Sequence, residues 1–134
     1  MADAYLIDNV LLDVLEEDPD WYGWSAGVLA EVADQGILVI NPVIYAEVSI
    51  GFERIEEMEQ LLSKDIFIRA AIPWEAAFMA GKCFLQYRRA GGIRRSPLPD
   101  FFIGAHAAVE QMTLVTRDAP RYRSYFTGLS LLTP

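Results

Sequence analysis

An α/β domain with a mostly parallel, twisted central sheet is predicted by three observations. Short apolar runs of strand length recur from end to end, and amphipathic stretches of helix length lie between them. The connections joining successive runs have the length of crossovers rather than hairpins. The 134 residues are 53% hydrophobic, with three Trp, six Tyr and seven Phe, enough for one packed core and too few for two. One domain over residues 1–134 is therefore expected.

Taken in order, Tyr5-Leu6-Ile7 is the first strand and Asp8 ends it. A helix from about Pro19 to Gln35 follows, with Asp18 placed to cap it and Gly36 just past its end. Ile37 to Ile40 is a buried strand that feeds into Asn41-Pro42, an N-cap followed by proline at the first helical position, and that helix should continue to Phe52. A further helix reaches Leu62. Ile66-Phe67-Ile68 is a short strand, and Pro73-Trp74 opens a helix running to Gly91-Gly92. Beyond a basic loop, Pro99 starts a helix through Val109, Met112 to Thr116 is a strand ending at Arg117-Asp118, and Leu129 to Leu132 closes the sheet. In such sheets ligands sit beyond the carboxyl ends of the strands.

Composition narrows the chemistry. The single cysteine, Cys83, excludes an internal disulfide or thiolate cluster, and His106 is the only histidine, so a bound metal would need oxygen ligands. No basic segment followed by an apolar one opens the chain, and no apolar run approaches the roughly 20 residues that span a bilayer, so a soluble cytoplasmic protein with no membrane partner is expected. Net charge is −8, an unpromising balance for binding a polyanion. The charge is sorted along the chain, however: residues 1–67 carry net −13 and residues 68–134 net +5, and nine of the eleven basic residues are arginine, whose planar fork suits phosphate.

Four acids stand out by position. Asp8 and Asp118 each follow a strand, so a parallel sheet would project both from one edge. Glu47 has Val43, Ile44, Ile50 and Gly51 as its helical neighbours, a setting in which a carboxylate needs a partner, a proton or a metal. Asp100 begins a helix, where the macrodipole favours an anion, and Gly104 one turn on would leave room for a substrate or another backbone. Each acid alone could be a cap or a solvated loop residue. Gathered in one cleft, they would repel one another unless a divalent cation intervened, and oxygen ligation suits Mg²⁺ or Mn²⁺ and phosphoryl chemistry.

The segment Leu6-Ile7-Asp8-Asn9-Val10-Leu11-Leu12-Asp13 resembles the opening of PIN-domain proteins, especially VapC-type toxins of toxin–antitoxin pairs. Pro42 to Glu47 is similar to that family's second acidic motif, Leu98 to Ala107 to its third, and Leu114-Val115-Thr116-Arg117-Asp118 to its fourth. The resemblance implies a three-layer PIN fold and an endoribonuclease with catalytic Asp8, Glu47, Asp100 and Asp118. It implies Mg²⁺ (or Mn²⁺) on Asp8, Asp100 and Asp118, with Asn9 and Thr116 in support. It also implies an RNA substrate, a cognate VapB-type antitoxin and a homodimer. The pattern departs at one place: a small hydroxyl residue usually separates the first aspartate from the asparagine, whereas Asp8 and Asn9 are adjacent. Alignment from the strand puts Asp8 in the catalytic place, and alignment from Asn9 puts Ile7 there. The alternative is thus a catalytically impaired module that binds RNA or a protein.

Arg117 and Arg121, beside Asp118, are the best-placed arginines for holding substrate phosphate, and Arg88, Arg89, Arg94 and Arg95 could steer it. His106, six residues after Asp100, points to another side of its helix and reads as packing or surface. Trp21, Trp24 and Trp74 read as core or dimer contacts.

Overall fold

A computed structural model describes residues 3–93 and 98–134; Arg94 and Arg95 lie outside the described residues. Five strands, β1 (Asp3–Ile7), β2 (Gly36–Ile40), β3 (Phe67–Arg69), β4 (Thr113–Val115) and β5 (Leu131–Leu132), form one sheet in the order β3-β2-β1-β4-β5. All four pairings are parallel, so the sheet is wholly rather than mostly so. Around it pack α1 (Val10–Leu15), α2 (Tyr22–Gln35), α3 (Pro42–Ser49), α4 (Ile55–Leu61), α5 (Trp74–Arg89), α6 (Pro99–Glu110) and α7 (Ala119–Tyr125). This is the expected α/β architecture.

The middle strand β1 holds the core. Leu6 pairs with Val39 on one side and Leu114 on the other, and Leu6, Ile7, Leu114 and Val115 are wholly buried. The chain lays β2 and β3 to one side of β1 and then returns to lay β4 and β5 on the other. The strand order therefore reverses between β1 and β4, and the crevice past their carboxyl ends is where this topology accepts ligands. Among the described residues no helix is long and apolar enough to cross a membrane.

Several element boundaries shift for local reasons. The Asp18 carboxylate accepts from the backbone N–H groups of Asp20 and Trp21, closing a side-chain turn, so α2 begins at Tyr22 instead of Pro19. The Asn41 side chain accepts from the Ile44 N–H at 2.9 Å, the cap its sequence suggested, with Pro42 behind it. That helix stops at Ser49 rather than Phe52 because the bonds from Gly51 to Val48 and from Phe52 to Ser49 tighten to a three-residue spacing. Gly36 joins α2 to β2 directly. A Cβ there would lie 2.1 Å from the Asp3 carbonyl oxygen, so a residue without a side chain is required where β1 starts.

Candidate active site

The cleft forms where β1 and β4 end. The Asp8 N–H still bonds the Val115 carbonyl at 3.0 Å, extending the ladder by one residue, and α1 begins two positions later. Ile7 stays in the strand with no exposed surface, whereas Asp8 lines the cleft at 6% exposure. The adjacency of Asp8 and Asn9 is thus taken up by a tight turn in which the Leu11 N–H bonds the Asp8 carbonyl.

Asp8 is held by two hydroxyls. Thr116 Oγ1 and Tyr122 Oη each donate to its Oδ2 at 2.9 Å. Burial, reinforced by neighbouring Asp100, pushes the carboxyl up to about 6, while the two hydroxyl bonds pull in the opposite direction. Asn9 supports the far side: its amide donates to Asp118 Oδ2 at 2.9 Å and its carbonyl accepts from the Arg117 N–H at 3.0 Å. Thr116 Oγ1 also accepts from the Asp118 N–H at 3.1 Å, so Asn9 and Thr116 together fix the loop that carries Asp118.

Asp100 enters from the first turn of α6 and Glu47 from the middle of α3. Asp100 accepts from Tyr122 Oη at 3.2 Å on one carboxylate oxygen and is ion-paired to Arg121 through the other. Glu47 is half-buried and accepts no hydrogen bond from a described residue; burial first, then Asp8 and Asp100, push it up to about 7, with Arg121 opposing. Burial and the two aspartates also raise the Tyr122 phenol well above its usual range, so it stays protonated and a donor.

Asp8, Glu47, Asp100 and Asp118 all line one cleft of about 550 Å³, with Arg121 at its edge and Leu12, Ile44, Val48 and Phe101 supplying apolar walls. Arg117 is not among the lining residues. Its guanidinium makes two bonds of 2.9 Å to Asp13, which is 3% exposed, and lies over the Trp21 ring at 5.4 Å. Ser25 donates to the same carboxylate at 2.8 Å. Arg117 therefore ties α1 and α2 to the loop after β4 and does not face the cleft. Gly104 makes room for the Phe126 ring, 2.4 Å from where a Cβ would stand, not for a substrate. His106 is buried and packs its Nδ1 against the Asn41 amide at 3.0 Å.

The donor set suits a hard divalent cation. Among the described residues that line the cleft, four carboxylates face a single guanidinium, and the charged groups able to ligate a cation offer oxygen. Among the described residues no three acidic, histidine or cysteine side chains are gathered tightly enough to make a finished ion cage. Sequence reasoning missed two participants, Tyr122 and Asp13. The spacing of Tyr122 four residues after Asp118, past Pro120 in the first turn of a helix, was the available signal.

The sequence profile of the PIN domain matches residues 5–123. The chain belongs to the PIN domain family. Its fold is shared with solved structures at low identity. VapBC2 from Rickettsia felis, bound to a DNA fragment from its promoter, is 21% identical with a TM-score of 0.71, over 97% of this chain and 98% of that one. VapBC-1 from nontypeable Haemophilus influenzae is 18% identical with a TM-score of 0.70, over 97% of each chain. FitAcB from Neisseria gonorrhoeae is 15% identical with a TM-score of 0.70, again over 97% of each. No curated protein matches this PIN domain by sequence.

Proposed function

We propose that this PIN domain is a divalent-metal-dependent endoribonuclease, the toxin of a VapBC-type pair. The observation that carries the reading is the convergence of Asp8, Glu47, Asp100 and Asp118 on one cleft at the strand-order reversal, with two of the carboxyls pushed up to about 6 and 7 by burial and mutual repulsion. Like charges so placed favour a counter-cation. Asp8, Asp100 and Asp118 would hold Mg²⁺ or Mn²⁺. A cation held there supplies Lewis-acid charge and a more acidic water. Glu47, titrating near neutrality and facing the same cleft, is poised to accept a proton from a water attacking phosphorus. Arg121, more than half exposed, can reach a substrate phosphate; Arg117 contributes by holding Asn9 through its backbone and Asp13 through its side chain.

The VapBC complexes among the similar structures support a VapB-type antitoxin as partner. Trp74 at 90% and Phe78 at 69% exposure, one turn apart on α5, support pairing of two copies through that face. Asp100→Asn, which keeps the acceptor for Tyr122, is expected to abolish cleavage of single-stranded RNA while the circular dichroism spectrum is unchanged. Cleavage retained by that variant would refute the reading. One observation favours a second reading, a PIN module that binds RNA or protein without cutting it: Arg121 already neutralises Asp100. A Mn²⁺ titration separates the two, because the inert module neither takes up the ion at micromolar concentration nor cleaves.

A further inference from the structure

Two adjacent residues of α7 hold Asp100 from different directions. Arg121 pairs with Oδ2, and Tyr122 Oη donates toward Oδ1 at 3.2 Å while also lying 2.9 Å from Asp8 Oδ2. A phenol has one proton to give, so that proton is shared between two carboxylates on different elements, one after β1 and one at the start of α6. The two neighbours differ in freedom. Tyr122 is 1% exposed and its ring sits in the core cluster, whereas the Arg121 side chain is 57% exposed. A buried aromatic with two rotatable bonds is fixed by its packing; an exposed arginine exchanges partners readily.

We infer that Tyr122 is a positioning residue, which sets the separation of Asp8 and Asp100 through its shared hydroxyl and so prepares them for a divalent cation, while Arg121 is the removable cover on Asp100. The inference rests on the cation-dependent reading above. Without the hydroxyl the two carboxylates lose their common donor, leaving Asp8 to Thr116 and Asp100 to the exposed Arg121, with nothing fixing one carboxylate relative to the other through a shared atom. Partners that orient ligands in this way typically govern metal affinity by 10- to 100-fold.

The test is Mn²⁺ binding by Tyr122→Phe and Arg121→Gln, each in the full chain, followed by electron paramagnetic resonance, with RNA cleavage measured against Mn²⁺ concentration. Tyr122→Phe should bind Mn²⁺ about 10-fold more weakly and recover most of its kcat at saturating Mn²⁺, with KM for RNA unchanged. Arg121→Gln should bind the ion at least as tightly as the unaltered protein. Equal affinity of Tyr122→Phe and the unaltered protein, measured on folded samples, would overturn the inference and leave the nuclease reading standing. No Mn²⁺ uptake by the unaltered protein would overturn both. If Tyr122→Phe does not fold, tyrosine-labelled unaltered protein decides: substoichiometric Mn²⁺ must broaden the Tyr122 ring resonance before that of Tyr5, which is also buried, and broadening of Tyr5 first, or none, would refute the placement.

Discussion

Asp8 is a carboxylate the fold tolerates at a cost, and Asp8→Asn measures it. Its carboxyl titrates at about 6 in the folded chain against 3.8 ordinarily, with burial the leading cause. Below pH 3.8 it is protonated in both states and costs nothing. As the pH rises toward 6 the unfolded chain releases the proton first, so the native state loses stability through that window, and the full cost is present above it. At about 1.4 kcal/mol per pH unit, the gap amounts to roughly 3 kcal/mol at neutral pH. Asparagine removes the charge and keeps an acceptor for Thr116 and Tyr122. In chelator, the variant should be about 2 kcal/mol more stable than the unaltered protein at pH 7.5, a Tm higher by roughly 6–10 °C for a chain of this size, and the difference should vanish near pH 4. Urea unfolding of both proteins at the two pH values gives it, since the titrating groups away from the cleft cancel and Glu47, relieved of the Asp8 charge, adds to the variant's gain with the same sign. A variant no more stable at pH 7.5, or a difference that does not change with pH, would refute the reasoning. Added Mn²⁺ should reverse the ranking, because only the unaltered protein gains from the ion.

Three further outcomes follow from the same geometry. Arg117→Ala leaves Asp13 buried with Ser25 as its one side-chain partner among the described residues and should cost about 3 kcal/mol in urea unfolding, with Asp13→Asn in the same chain restoring part of it. The Asn41 amide spends its oxygen on the Ile44 N–H, so its nitrogen faces His106 Nδ1, and a protonated ring would meet donor with donor. Burial lowers the His106 pKa in the folded state, so a stability contribution intact above pH 6.5 is lost as the pH falls below it; His106→Gln should flatten the urea midpoint between pH 6.5 and 5 relative to the unaltered protein. Gly104→Ala drives a methyl into the buried Phe126 ring and should lower stability by roughly 1–3 kcal/mol in thermal melts.

Much of the site was legible because two of its acids follow strands. Asp8 and Asp118 are tied to β1 and β4 by chain continuity alone, so strand runs and parallel topology place both at one edge without knowledge of any side-chain contact. Glu47 was legible from its apolar helical neighbours. What escaped were elements too short for a periodic signal: α1 with six residues and α7 with seven hold fewer than two turns each. Losing α7 meant losing Tyr122, since a tyrosine in an unassigned stretch reads as generic core. Arg117 reads as a phosphate ligand from sequence because its charge shows there and the face of α1 that offers Asp13 does not. Gly104 reads from sequence as room for a substrate or another backbone for a related reason: the ring that fills the space, Phe126, lies 22 positions away.

The passage from α2 into β2 has no spare residue, since Gln35 ends the helix and Gly36 begins the strand against the Asp3 carbonyl. One inserted amino acid there would have nowhere to bulge and would turn β2 over, sending Leu38 and Ile40 to the opposite face. An insertion between α3 and β3 leaves this register untouched, whereas the seam itself demands a fixed residue count. A fusion or circular permutation that opened the chain at Gly36 would forfeit the sheet before it ever reached the cleft.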